Sequence, residues 1–168
     1  MRTFLLLIAF YCFMTTSDAQ SQPDHSTPEA VDATMFTYSI RLRPGQDLKK
    51  ELDALVQKRR IGAGAMLTCV GSLTDVTLRL ANQEGSTVWK GHFEIVSLVG
   101  TLSMKGSHLH LSVSDSTGHT IGGHLLDGCK IYTTAELVIG VMPDLDYVRE
   151  PDPTFGYQEL VVKKRKKK

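Results

Sequence analysis

The chain has 168 residues, of which 42% are hydrophobic and 22% are charged. This balance fits one globular domain with a sizeable core and excludes an intrinsically disordered protein. The formal net charge is +1, but residues 163–168 have the sequence KKRKKK, so the rest of the chain is mildly acidic. The composition therefore offers no basic domain for nucleic acid, and any such role depends on these six residues.

The first 19 residues have the pattern of a secretory signal peptide. Arg2 precedes an apolar run, residues 4–14, which is too short for a transmembrane helix. Small residues follow before Ala19, where we predict cleavage. We therefore expect a secreted protein with no membrane span after cleavage, or a nuclear protein if the signal is not functional. Residues 20–34 are polar and contain prolines, which predicts a disordered leader.

One helix is predicted over residues 46–60, after a first strand over residues 35–42. Apolar residues recur at spacings of three and four and form one stripe: Leu48, Leu52, Leu55 and Val56. Basic residues in the last turn suit the negative end of the helix dipole, and Gly62 and Gly64 are expected to end the helix.

The remainder is predicted to be strands, separated by glycine or polar turns. An acidic, proline-containing loop is expected over residues 143–156. One helix beside many closely spaced strands predicts an α+β domain with a mainly antiparallel central sheet. The predicted strands, rich in Val, Ile, Leu and Thr, cover residues 65–70, 75–80, 86–89, 93–102, 108–114, 120–125, 131–141 and 157–162.

Cys69 and Cys129 remain after removal of the signal peptide. Both lie in apolar surroundings, which favours buried free thiols, although a disulfide between them stays open. Their spacing excludes a CxxC zinc or redox motif.

Three histidines form the pattern with the clearest chemical consequence. In the strand over residues 108–114, His108 and His110 share one face and the leucines and valine point to the other. A three-residue loop over residues 116–118 would place His110 opposite His124 on the same face. A two-residue loop would instead pair His124 with Leu109, so the turn type decides whether the three imidazoles meet.

Three converging imidazoles can provide the ligands of a divalent cation. Zinc in catalytic sites takes three protein ligands and leaves the fourth position open. Gly122 and Gly123 are expected to leave space above His124. Copper, nickel or iron would also accept imidazole, and the alternative is a hydrogen-bonded surface cluster without a metal.

The motifs GHFEIVSLVGT (residues 91–101), HLHLS (108–112), IGGHL (121–125) and TTAE (133–136) resemble the PPC domain family, conserved in plants and prokaryotes. The resemblance covers residues 35–162. It implies an α+β fold that assembles as a homotrimer. It also implies that His108, His110 and His124 hold a metal, usually zinc, as in the prokaryotic branch. In plants the domain follows AT-hook motifs in nuclear DNA-binding proteins, but no RGRP-type AT-hook occurs in this sequence.

Three functions are compatible with these sequence features. The leading hypothesis is a trimeric metal-binding module of the interaction or DNA-binding type, with protein partners. The alternative is a zinc-dependent enzyme for a small polar substrate, with Glu136 as the first candidate for general acid or base. Glu94 and Asp127 come after it, and Arg79 could clamp a substrate carboxylate. The third is polyanion or nucleic-acid binding by a free tail, through Lys163, Lys164, Arg165, Lys166, Lys167 and Lys168.

Overall fold

The structure is a computed structural model that describes residues 30–154 and 156–166. The predicted signal peptide, most of the predicted leader and the last two lysines lie outside the described residues. The one helix is α1 (Leu48–Arg59). The strands are β1 (Phe36–Leu42), β2 (Gly64–Arg79), β3 (Thr87–Leu102), β4 (His108–Ser114), β5 (Thr120–Leu125), β6 (Lys130–Val141), β7 (Leu145–Pro151) and β8 (Gln158–Lys164).

Six strands form one antiparallel sheet in the order β1-β6-β2-β3-β4-β5. The free side of β5 also pairs with the end of β2, through Leu78 with Leu125 and Arg79 with His124. Because β5 pairs with both β4 and β2, the four strands β2, β3, β4 and β5 form a closed ring. The end of β2 therefore lies next to β5. The mainly antiparallel α+β architecture predicted from the sequence is confirmed.

Helix α1 closes one side of the core, where Leu48, Leu52 and Val56 are buried. Asp47 caps the helix, because its Oδ1 accepts a hydrogen bond from the Lys50 amide at 3.3 Å. The helix ends earlier than Gly62, since Arg60 already adopts a left-handed conformation with a φ of 52°. The expected glycine C-cap is therefore wrong.

Two further strand predictions are corrected by the structure. The predicted strands 65–70 and 75–80 form one 16-residue strand, β2. The predicted strands 86–89 and 93–102 likewise form one 16-residue strand, β3. Register shifts interrupt their pairing where the predicted strands join, which shows that the apparent turns are β-bulges. The loop predicted over residues 143–156 contains β7, which pairs with β8 in a separate hairpin.

The hairpin β7–β8 packs on the main sheet through specific hydrogen bonds. The Tyr147 amide donates to the Gly62 carbonyl at 2.9 Å, and Ser103 Oγ donates to the Tyr147 carbonyl at 2.7 Å. Arg149 Nη2 donates to Thr101 Oγ1 at 3.0 Å. The hairpin therefore lies against the end of β3, next to the start of β4.

Cys69 and Cys129 are both buried free thiols, as the apolar surroundings favoured. Burial raises the pKa of Cys69 to about 12 and that of Cys129 to about 11. Neither thiol is therefore reactive at neutral pH. No helix within the described ranges is long and apolar enough to cross a membrane.

Candidate metal centre

The turn between β4 and β5 has the three-residue loop on which the histidine prediction depended. The Gly118 amide donates to the Asp115 carbonyl at 3.0 Å, and Gly118 has the left-handed φ of 84° that this loop requires. Asp115 Oδ1 accepts hydrogen bonds from the amides of Thr117 and His119, at 2.8 and 3.1 Å, which fixes the turn. The register that follows pairs His110 with His124, as predicted.

The three imidazoles meet on the outer face of the sheet. His108 Nε2 lies 3.1 Å from His110 Nε2 and 3.1 Å from His124 Nδ1. His108 and His110 are exposed and His124 is half-buried, whereas Leu109 and Leu111 on the opposite face are buried. The alternation of β4 therefore separates a core face from a face that presents nitrogen donors.

The spacing of these nitrogens fits a single metal ion. Three nitrogens bound to zinc at about 2.0–2.1 Å with tetrahedral angles lie about 3.3 Å apart. The two separations of 3.1 Å come within a few tenths of an ångström of this value. Among the residues that the structure describes, these three histidines form the group whose potential ligand atoms lie close enough together to hold a metal ion, all within 4.8 Å of one another.

The electrostatic surroundings favour the neutral form of two of the ligands. Burial lowers the pKa of His108, and the positive charge of Arg149 lowers it further. Burial also lowers the pKa of His124, with the charge of Arg79 as the next cause. Neutral imidazole is the form that binds metals, so both rings have a free nitrogen lone pair at neutral pH.

Arg79 owes its position beside His124 to a close approach of two backbones. A Cβ atom at Gly123 would lie 2.7 Å from the carbonyl oxygen of Arg79, so only glycine lets β5 reach the end of β2. The expectation that Gly122 and Gly123 leave space above the metal site needs correction for Gly123. Its role is to bring Arg79 and His124 side by side.

A cleft of about 1130 Å³ opens next to the cluster. His108 and His124 line it together with Arg79, and the β7–β8 hairpin adds Arg149 and Glu159. Neither Arg149 nor Glu159 was predicted from the sequence. The alternation of polar and apolar residues around Tyr147 and Val148 was the available signal for a strand, but no local pattern indicates that this strand reaches the histidines.

The acidic residues named as candidate general acids or bases do not line this cleft. Glu136 is exposed on β6, opposite Val70 of β2, and Arg79 lies nine positions further along β2. That separation is about 30 Å of extended strand. Glu94 pairs with Ser114 at the turn end of β4, away from His108. Asp127 forms an ion pair with Lys49 at 3.3 Å.

The first residues of the predicted basic tail belong to the fold. Strand β8 extends through Lys164, two residues past the predicted boundary. Lys163 forms an ion pair with Glu150, and Arg165 Nη2 lies 2.6 Å from Asp146 Oδ1. Lys164 Nζ donates to the Asp32 carbonyl at 3.0 Å. The two ion pairs arise because acidic residues on β7 face basic residues on or beside β8.

Comparison with known proteins places these features in a family. The family model of the Plants and Prokaryotes Conserved (PCC) domain matches residues 30–143. The bifunctional protein GlmU of a Synechococcus strain is 49% identical over 140 residues, which make up 83% of this chain and 22% of that protein. The chain thus spans about a fifth of the length of this relative.

Two solved structures have the same fold. A hypothetical protein from Salmonella cholerae-suis is 46% identical, with a TM-score of 0.80, and the match covers 82% of this chain and 99% of that one. A metal-containing protein from Archaeoglobus fulgidus is 20% identical, with a TM-score of 0.70 and coverage of 80% and 99%.

Proposed function

Because the chain belongs to the Plants and Prokaryotes Conserved domain family, we propose that it is a metal-binding module that holds one zinc ion with His108, His110 and His124. The observation that carries the proposal is the pair of 3.1 Å separations between imidazole nitrogens on an exposed sheet face. The metal content of the protein from Archaeoglobus fulgidus, which shares the fold, supports it. Other divalent transition metals would accept the same three nitrogens.

Elemental analysis of the protein, purified without a metal-affinity tag, tests this proposal. We expect one zinc per chain, and its loss in His110→Ala and in His124→Ala. His119→Ala is the matched control, because this histidine lies on the same hairpin but outside the cluster. Wild-type protein that retains no metal after zinc loading and dialysis would contradict the proposal.

We further propose that the module assembles as a homotrimer through the outer face of β2 and β3. Four apolar side chains there are about half exposed: Leu67, Val70, Val96 and Val99, at 48, 56, 58 and 54%. The pairs Ala65–Thr101 and Ser72–Glu94 flank this stretch of β2 and β3. The register between them places Leu67 across from Val99 and Val70 across from Val96. Such a contiguous apolar patch favours association.

Light scattering after size-exclusion chromatography tests the trimer. We expect a mass of three chains for the wild type and a smaller assembly for Val96→Glu. Val88→Glu is the matched control, because Val88 is equally exposed (55%) on the same strand but lies outside the patch. A wild-type mass of one chain, or an unchanged mass for Val96→Glu, would rule out this interface.

The cleft favours a second function, a zinc-dependent enzyme that acts on a small polar substrate. Zinc in such a site supplies Lewis acidity. For this function we propose Glu159, in place of Glu136, as the residue that accepts or donates a proton, because it lines the cleft with His108. Screening small carboxylic and phosphoric esters would test this function. Glu159→Gln should abolish any turnover and keep the zinc, and turnover that survives the change would exclude this role.

Secretion and polyanion binding remain proposals from the sequence pattern. The apolar run before Ala19 supports secretion, and a reporter fused after residue 34 should appear in the medium. For polyanions, the ion pairs of Lys163 and Arg165 leave Lys164 and the end of the tail as the available charge. Deletion of residues 166–168 should reduce retention on heparin and DNA, and unchanged retention would remove this role.

A further inference from the structure

Two arginines flank the histidine cluster from different parts of the fold. Arg79, on β2, pairs with His124 across the strands. Arg149, on β7, donates to Thr101, which itself pairs with His108. Both arginines line the cleft together with His108 and His124. The positive charges of both arginines therefore act on the histidine cluster at His108.

Neither guanidinium is neutralised by an acidic side chain within the described part of the chain. Arg79 Nη1 donates to the Gln83 carbonyl at 3.4 Å, and Arg149 Nη2 donates to a threonine hydroxyl. By contrast, Arg165, in the segment that follows β8, has a carboxylate partner. Glu84 and Glu159 also line the cleft, but neither comes within ion-pair distance of these arginines.

The positive charge of Arg149 acts on His108 more strongly than the negative charge of Glu159, and Arg79 adds a second positive charge. The arginines therefore disfavour a cation at the histidines, and Glu159 offsets them only in part. Two guanidinium groups and a divalent cation beside the same cleft repel one another, and the repulsion is only partly screened at a half-buried site. A bound anion between them would turn the repulsion into attraction. The wall also contains Ser107, whose buried Oγ has no hydrogen-bond partner, and such an unmade hydrogen bond costs free energy.

We propose that the cleft binds a small ligand through an oxyanion, a carboxylate or a phosphate group, held between Arg79 and Arg149 next to the three histidines. This inference deepens the proposed function, because it rests on the metal site and names the class of ligand. Guanidinium groups suit it since their planar forks bind carboxylate and phosphate in a bidentate manner. The volume of about 1130 Å³ admits a small metabolite.

Titration calorimetry with zinc-loaded protein tests the inference. Methylphosphonate and propionate are the two probes, and they distinguish a phosphate from a carboxylate ligand. Propionamide, a neutral analogue of propionate, is the control. We expect one of the two anions to bind and propionamide not to bind. Arg79→Gln and Arg149→Gln should each weaken anion binding by about tenfold or more, since each removes a charge-assisted hydrogen bond.

The matched control is Arg43→Gln, which removes the same charge at an exposed position outside the cleft. Equal weakening in this control would overturn the inference, because it would show a general charge effect. Arg79→Lys and Arg149→Lys keep the charge and should still bind more weakly than wild type, since lysine lacks the fork. Circular dichroism of each variant confirms that it is folded.

Metal content, measured on the same samples, separates this inference from the proposed function. Protein that holds zinc but binds neither anion overturns the inference and leaves the metal site intact. Protein that holds no zinc, yet binds an anion in a manner that depends on both arginines, supports the oxyanion site and contradicts the metal proposal. Binding of propionamide as tightly as propionate would also overturn the inference.

Discussion

Substitution of Gly123 by alanine tests how the fold assembles the site. The new Cβ would lie 2.7 Å from the carbonyl oxygen of Arg79, whereas ordinary contacts begin at 3.4 Å, so β5 and β2 would have to separate by about 0.7 Å. Overpacking of this kind costs about 1–3 kcal/mol. His124 follows Gly123 directly and moves with it, although metal ligands tolerate shifts of only about 0.2 Å.

We therefore expect Gly123→Ala to lower the free energy of unfolding by about 2 kcal/mol and the zinc affinity by about tenfold or more. Urea unfolding of the metal-free protein measures the first quantity, and competition with a chelator measures the second. Gly85→Ala is the control, because a Cβ at Gly85 meets nothing within 4 Å. If Gly123→Ala matched the wild type in both assays, the close approach of β5 and β2 would not be what positions His124.

Three further predictions concern protonation and the helix ends. Because the pKa values of His108 and His124 are lowered, zinc affinity should stay constant down to the ordinary histidine pKa of about 6.5 and fall only at lower pH, and a fall that begins above about pH 7 would contradict the lowered pKa values. Asp47→Ala should lower the free energy of unfolding by about 3 kcal/mol, because the buried carboxylate caps α1 and accepts a hydrogen bond from the Gly128 amide at 2.8 Å. A loss below about 0.5 kcal/mol in urea unfolding would refute this role. Arg60→Gly should raise the same quantity by about 0.5–1 kcal/mol by relieving a left-handed backbone, and any decrease would contradict that reasoning.

The local features of the site could be predicted from the sequence. The two-residue alternation of β4 sets His108 and His110 on one face, and the glycine at position 118 selects the loop that pairs His110 with His124. These relations involve neighbours along the chain or across one short hairpin. Their geometry follows from strand pleating and turn type, and both can be predicted from the local residue pattern.

The surroundings of the site depend on contacts between distant parts of the chain. The pairing of Arg79 with His124 requires β5 to close on β2, and Arg149 reaches the cleft only because the hairpin β7–β8 docks on β3. No periodic pattern in the sequence predicts these contacts between distant strands. Glu136 is the first candidate for general acid or base in the sequence, but the course of β6 sets it far from the histidines.

The proposed function depends above all on one metal ion held jointly by His108, His110 and His124. Anomalous diffraction at the zinc edge, from crystals of zinc-loaded protein, would locate that ion. We predict a single strong peak at about 2.0–2.1 Å from one ring nitrogen of each histidine. A map without a peak at this cluster, or with the zinc bound elsewhere on the chain, would show that these histidines are not the metal site.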